Sequence, residues 1–179
     1  MEFPVCTFDL KTGVLCSRCE SKISRGELTS LDLDIMRFLL ELEKKRPQLT
    51  HLRYVSSLKV DDYLFIVFKE RDLASLPQQL QAQLKKDLSE KFGLTVKLIE
   101  GHRDFNTFLQ GLLSPARILA VNKVWLPDQT TEIKVVIEDD RMLKTPAHVL
   151  AYVIKRLTGV AVSFEMQKKG RPAAVRFGR

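Results

Sequence analysis

Three cysteines near the start of the chain have a spacing that fits metal chemistry. Cys6, Cys16 and Cys19 form a C-x9-C-x2-C pattern. Two cysteines separated by two residues can direct both sulfurs at one ion while backbone N–H groups bond to the thiolates. Structural zinc takes four ligands, with sulfur at about 2.3 Å, so one ligand besides the cysteines is needed. The pattern predicts that these three cysteines hold one structural zinc ion in a zinc-knuckle-like element.

The sequence leaves the fourth ligand open. An unidentified group is favoured over each of the candidates that can be named, which are His51, His102, His148, Asp9 and a group from a partner chain. Two other interpretations also stay open. One is a disulfide between Cys6 and one of the other two cysteines, which is unusual in the cytosol outside hyperthermophiles. The other is three ordinary thiols. A thioredoxin-type redox pair is disfavoured, because residues 20–26 are a poor start to the helix it requires.

The positive charge of the chain is concentrated at its end. The formal net charge is +7, which suits a nucleic-acid partner because lysine and arginine displace the counterions condensed on phosphates. Five of these charges lie in the last twelve residues. Glycine, proline and spaced arginines in this segment are typical of a flexible arm that becomes ordered on a phosphate backbone. We predict nucleic-acid contacts for these five cations: Lys168, Lys169, Arg171, Arg176 and Arg179. The alternative is a solvated disordered chain end, which is common.

No motif in the sequence indicates catalysis. The chain lacks GxxxxGK[ST], GxGxxG, GxSxG and HExxH, and its two Asp-Asp pairs fall at turns, where acids are expected anyway. We therefore predict that the protein is not an enzyme. No apolar run approaches the roughly 18 residues of a membrane span, and the first residues do not read as a signal peptide. The expected location is cytoplasmic, with no membrane partner.

Hydrophobic periodicity predicts the secondary structure. Residues 1–28 are expected to be irregular. A helix should follow Thr29, which is a good N-cap with Asp32 in an arrangement close to a capping box. Strands are predicted at 51–60 and 63–70, a helix from Pro77 to Gly93, and a strand at 94–100. A connecting helix at 103–113 leads to strands at 118–126 and 132–138, a helix from Thr145-Pro146 to Gly159, and a strand at 160–166.

The order strand–strand–helix–strand therefore occurs twice. Pro77 and Pro146 are 69 residues apart, as are the strand segments 66–68 and 135–137, which indicates an internal repeat. The alternative is a single α/β sandwich with accidental similarity. The predicted organisation is a cysteine-containing element (1–28), a first domain with a leading helix (29–102), a linker helix with a second domain (103–166), and a basic tail (167–179). Trp125 is expected to pack in a core rather than to stack on a base.

The repeated segments resemble the tandem KH domains of NusA-type transcription factors in their short archaeal form. The resemblance covers roughly residues 50–166. It rests on Pro115-Ala116 before a hairpin, Asp139-Asp140 at a corner, and Leu157-Thr158-Gly159 at a helix end. It implies an α+β fold (α/β sandwich) of two tandem KH-like domains, type II-like, with the order strand–strand–helix–strand. It also implies a role in transcription elongation or termination, with RNA and RNA polymerase as partners.

One feature of a working KH module is missing. The GxxG loop of such a module holds the RNA backbone, and glycine lets phosphates approach main-chain N–H groups at a helix start. No two of the eight glycines are three residues apart, and residues 76–79 and 144–147 stand where the loops should be. Both modules are therefore predicted to be degenerate. Lys144 and Thr145 with the following helix N-terminus still provide a site for one phosphate, unless Thr145-Pro146 is merely a helix cap.

These observations predict an RNA-binding factor that relies on basic surfaces and the tail. Two alternatives remain. One is a protein-interaction adaptor on RNA polymerase, in which the KH-like surfaces bind protein. The other is a ribosome-associated protein that uses the tail and the zinc element on structured RNA.

Overall fold

The computed structural model describes residues 1–101, 104–125 and 131–166. The chain divides into two compact units, residues 1–111 and 112–179. The architecture is mixed α and β with a three-stranded sheet in each unit, so the predicted α+β class is confirmed. None of the helices in the described ranges combines the length and the hydrophobicity needed to cross a bilayer.

The first residues form two short helices, so the prediction that residues 1–28 are irregular is wrong. Helix α1 spans Thr7–Thr12 and helix α2 spans Ser17–Ser24. The second begins inside the C-x2-C pair and continues through residues that we expected to be a poor helix start. Both are held by burial, since Leu10 and Cys19 belong to the core of the first unit. Ahead of them, Glu2 pairs with Arg53 in an isolated parallel bridge.

Helix α3 (Ser30–Lys45) begins with the predicted capping box. The Thr29 backbone N–H donates to Asp32 Oδ2 at 2.7 Å, and the Asp32 N–H donates to Thr29 Oγ1 at 3.2 Å. Asp32 is nearly inaccessible to solvent, and its other carboxylate oxygen accepts from Tyr54 OH and, at 2.7 Å each, from the N–H and hydroxyl of Ser57. A buried charge is tolerated when its hydrogen bonds are made, and this carboxylate ties α3 to the strand that carries Tyr54.

The sheet of the first unit is buried on both faces of its central strand. Strand β1 (Tyr54–Val60) pairs antiparallel with β2 (Tyr63–Lys69), which pairs parallel with β3 (Thr95–Gly101). The crossover is helix α4 (Gln78–Phe92), which ends at Gly93 with φ +65°, as predicted. All five residues from Leu64 to Phe68 are buried, and alternate ones join Leu84 and Leu88 of α4 in one core.

The second unit repeats this arrangement after helix α5 (Phe105–Leu113). Strand β4 (Ile118–Trp125) pairs antiparallel with β5 (Thr131–Ile137), which pairs parallel with β6 (Ala161–Met166). A short 3-10 turn at Asp140–Met142 precedes helix α6 (Ala147–Thr158), which ends at Gly159 with φ +75°. One side of α6 is buried, through Val149, Leu150, Val153 and Ile154.

Candidate functional site

The three cysteines and one aspartate of the first unit lie together. The Sγ atoms of Cys6, Cys16 and Cys19 and a carboxylate oxygen of Asp9 are all within 4.8 Å of one another. Cys6 and Cys16 are exposed, Cys19 is buried, and all three are free thiols, so the disulfide interpretation has no support in the structure. We call these four residues the Cys3Asp cluster.

The two short helices position the cluster in the same way. Cys6 is the N-cap residue of α1 and Cys16 is the N-cap residue of α2. Asp9 and Cys19 each follow three positions later, so each helix supplies one member of the cluster from its cap and one from its first turn. The partial positive charge of a helix N-terminus favours the carboxylate of Asp9. The helices that the sequence did not predict are thus the elements that assemble the cluster.

Hydrogen bonds bind the cluster internally. The backbone N–H of Cys16 donates to Asp9 Oδ2 at 3.0 Å, and that of Cys6 reaches Cys19 Sγ at 3.4 Å. The bond from the Cys16 backbone, followed by bonds from the thiols of Cys19 and Cys16, lowers the pKa of Asp9 below its usual value of 3.8. Burial raises the pKa of the Cys19 thiol to about 12. The arrangement therefore keeps a buried carboxylate charged beside three sulfurs.

Asp9 is the member of the cluster that the sequence did not single out, although it was one of the named candidates. His51 lies elsewhere, with its Nε2 2.8 Å from the Ser75 hydroxyl, and His148 belongs to the second unit, while His102 lies outside the described residues. A signal was available in the sequence. Cys6-x2-Asp9 repeats the spacing of Cys16-x2-Cys19, and the repeat is meaningful because both pairs open a helix.

The residues predicted to bind RNA at the corner before α6 differ in accessibility. Lys144 is exposed, whereas the Thr145 side chain is 1% exposed and its hydroxyl has no hydrogen-bond partner. The N-cap residue of α6 is Pro146, and no side chain caps this helix. Of the pair Thr145-Pro146, the proline therefore occupies the cap position, and the Thr145 side chain does not cap the helix. The predicted contacts Lys168, Lys169, Arg171, Arg176 and Arg179 lie outside the described residues.

Trp125 is not a core residue, contrary to our prediction. It ends the edge strand β4, its side chain is 71% exposed, and the Lys123 ammonium lies 4.9 Å from its ring centroid. In the described part of the second unit, β4 has a neighbouring strand on one side only. A cation near an exposed aromatic face is a favourable pair.

A set of exposed polar and aromatic side chains on α6 was not predicted from the sequence. Tyr152 is 53% exposed, and Lys155 and Arg156 are exposed beside it. Helical spacing places Tyr152 one turn before Arg156 on the same face. Residues 141–164 include no acid, so the charged side chains that α6 itself exposes are cations.

Comparison with known proteins identifies a related fold but no family. No protein-family model matches the chain, and none of the curated proteins does. Among solved structures, one described as "Crystal structure of APE1850" is similar with a TM-score of 0.55 and 14% sequence identity. The match covers 78% of this chain and 100% of that chain. At this identity the likeness is one of fold alone.

Proposed function

We propose that the protein is an RNA-binding factor with two degenerate KH-like modules, similar to NusA-type proteins and acting in transcription elongation or termination. The observation that carries the proposal is the repeated scaffold. Each unit has the order strand–strand–helix–strand, with a mixed sheet and a helix that begins after a proline. The backbone angles of these prolines are almost the same, φ −54°, ψ 141° at Pro77 and φ −55°, ψ 141° at Pro146.

Because the chain has no GxxG loop, side chains must supply the contacts to RNA. Proline has no N–H, so Pro77 and Pro146 each remove one main-chain donor from the helix start where a phosphate would sit. Lys144 remains exposed at the second of these corners. The net charge of +7 provides the general attraction to phosphates, and the tail cations contribute most of it. Such binding must weaken steeply with salt.

The test is binding of the full-length protein to single-stranded RNA over a range of salt concentrations. Each neutralised phosphate should add about 0.7 to the slope of log affinity against log salt, and deleting residues 168–179 should make the slope shallower. A pull-down from native lysate, with and without nuclease, then separates the partners. Nuclease-sensitive recovery of transcripts supports the proposal. Absence of RNA binding at low salt contradicts it.

We also infer that the Cys3Asp cluster holds one structural zinc ion. Three thiolates and a carboxylate are all zinc ligands, and four ligands at tetrahedral zinc–sulfur distances lie about 3.8 Å apart. The 4.8 Å limit on the separations in the cluster requires only small closing movements. Asp9 is buried while Cys6 and Cys16 are exposed, and one divalent cation bound by all four groups explains why they converge.

The metal assignment is tested by measuring zinc in the purified protein. We expect about one ion per chain, with loss of the ion in Cys19→Ser and in Asp9→Asn. Asp34→Asn is the matched control, because Asp34 is an exposed acid on α3 and should not affect metal content. Full zinc retention in Asp9→Asn would exclude Asp9 as a ligand. Absence of metal in protein purified without chelator would favour three ordinary thiols.

A second candidate function is an adaptor that binds RNA polymerase through protein contacts. It is favoured by Phe8 and Val14, two large apolar side chains that are 73% and 72% exposed on the α1–α2 element. Between α1 and α3, a surface cavity of about 510 Å³ is lined by charged side chains of both signs, namely Lys11, Arg37, Glu41 and Lys44. Salt-insensitive capture of polymerase that is lost in a Phe8→Ser, Val14→Ser variant would support this candidate. Co-sedimentation with ribosomes would instead favour the ribosome-associated alternative.

A further inference from the structure

The exposed face of helix α6 carries cations and aromatic rings in helical register. From His148 onward its members recur at intervals of three or four residues, which places them on one side of the helix, and Lys144 lies at the helix entry. All are exposed. We call this face the α6 stripe, and it consists of Lys144, His148, Tyr152, Lys155 and Arg156.

The charge of the stripe is not offset by neighbours in sequence. Residues 141–164 contain four cations and no acid. Lys155 and Arg156 in the last turn have one ordinary explanation, because cations stabilise the negative end of a helix dipole. That explanation does not extend to Lys144 at the opposite end of the helix, nor to Tyr152, whose ring is 53% exposed. The opposite side of α6 supplies the buried residues, so the stripe is not needed for the core.

The first copy of the repeat provides an internal comparison. Subtracting the 69-residue offset from the stripe positions gives mostly neutral residues, namely Ser75, Gln79, Gln83, Lys86 and Asp87. The charged members are already paired within the first unit. Asp87 forms an ion pair with Arg46 at the end of α3, and Lys86 lies 3.8 Å from Glu90. Helices α4 and α6 both begin after a proline and end at a left-handed glycine, but their exposed faces differ. Of the two faces, that of α6 is the one that is both basic and aromatic.

We propose that the α6 stripe is the surface with which the second unit binds single-stranded nucleic acid. Lys144, Lys155 and Arg156 contact phosphates, and Tyr152 stacks on one base. The eight helical steps from His148 to Arg156 span about 12 Å, the length of three to four stacked nucleotides at about 3.4 Å each. This assignment rests on the proposed function in RNA binding and locates it on a surface that starts at the corner where a GxxG loop would act and continues along the exposed face of α6.

The experiment uses the full-length protein and a fluorescein-labelled 12-nucleotide oligouridine RNA. Tyr152→Ala should weaken binding about 5- to 150-fold, which is the loss expected for one stacked base. Tyr152→Phe keeps the ring and should bind like the wild type. Lys155→Gln with Arg156→Gln should make the salt slope shallower by about 1.4, since each phosphate contact contributes about 0.7. The matched control is Lys85→Gln with Lys86→Gln on α4, which removes the same charge from the other copy.

The outcomes are separable. Wild-type binding that is unchanged by the α6 substitutions overturns the stripe but leaves RNA binding by the protein intact. Equal effects of the α4 and α6 double variants also overturn it, because the contribution would then be only net charge. If poly-glutamate of similar length binds as tightly as RNA and is equally sensitive to Tyr152→Ala, the surface binds acidic protein instead. No binding of RNA by the wild type overturns the proposed function as well. Equal affinity for DNA of the same length supports the stripe.

Discussion

Replacing Tyr54 by phenylalanine tests whether the buried carboxylate of Asp32 organises the first unit. The substitution removes one hydroxyl donor and no packing volume, and the ring keeps its edge contact with Phe68 at 6.3 Å. A hydrogen bond to a charged group is worth about 1.5–3 kcal/mol. Two donors from Ser57 remain on the same carboxylate oxygen at 2.7 Å. We therefore expect the free energy of unfolding to fall by an amount near the lower end of this range, about 1.5–2 kcal/mol.

Native-state hydrogen exchange on β1 and β2 measures this loss in the first unit alone. A loss of about 1.5–2 kcal/mol corresponds to exchange that is about 10- to 30-fold faster for the most protected amides. Tyr63→Phe is the control. Tyr63 begins β2, is only half-buried and stacks on Phe65, so its hydroxyl should contribute within about 0.5 kcal/mol of zero.

The pH dependence of the Tyr54→Phe penalty tests the charge of Asp32. Burial alone would raise the pKa of Asp32, but hydrogen bonds from Tyr54, Thr29 and Ser57 outweigh it and lower the pKa below 3.8. A carboxyl whose folded pKa is depressed contributes stability above its unfolded pKa of about 3.9, and that stability is lost as pH falls through the folded pKa. The penalty should therefore be largest at neutral pH and shrink below about pH 4. A penalty that grows on acidification, or that equals that of Tyr63→Phe at pH 7, would refute the reasoning.

Three further predictions concern burial, backbone and metal. Thr145→Val should stabilise the second unit by about 1 kcal/mol, because the buried hydroxyl has no hydrogen-bond partner and an unpaired group of this kind costs about 1–3 kcal/mol. The gain would appear as slower amide hydrogen exchange in α6 and β6. A loss of stability would mean that the hydroxyl is hydrogen-bonded. Gly159→Ala should cost about 1–2 kcal/mol in thermal unfolding, since its φ is +75°. Gly111→Ala, inside α5 with nothing within 4 Å of the added carbon, should instead gain roughly 0.5–1 kcal/mol, and equal effects at the two sites would contradict the assignment. Removing metal with a chelator should accelerate amide hydrogen exchange in residues 1–28 and leave exchange in β4 to β6 unchanged. Exchange in residues 1–28 that stays the same after chelation would argue against a structural metal.

The elements that local sequence encodes strongly were predictable. The Thr29–Asp32 capping box and the left-handed glycines at 93 and 159 need only their immediate neighbours. Helices α1 and α2 were not predictable in this way. They have six and eight residues, too short to be stable alone, and contain several residues of low helix propensity. They form because Leu10 and Cys19 are buried in a core supplied largely by residues far along the chain.

The candidate site was predictable to the same extent. The cysteines were recognisable by residue type. Asp9 is one of 22 acidic residues and was one of several candidates until α1, with Cys6 as its N-cap, placed it beside the three sulfurs. The prediction that Trp125 packs in a core was wrong for a different reason. Its large apolar ring favours burial on average, but exposure is decided by whether another element covers the end of an edge strand, which residue type alone does not report.

The repeat makes the surface difference between its copies informative. The helices α4 and α6 begin after prolines with matching backbone angles and end at left-handed glycines, so each offers the same frame to its exposed side chains. Where α4 carries Asp87, held by Arg46, α6 carries Arg156. A helix buries its apolar side equally well with either exposed face, and the helix dipole accounts for a cation in the last turn such as Arg156. The dipole does not account for Lys144 or for the exposed ring of Tyr152, and these are the residues for which the proposed nucleic-acid contact supplies a reason.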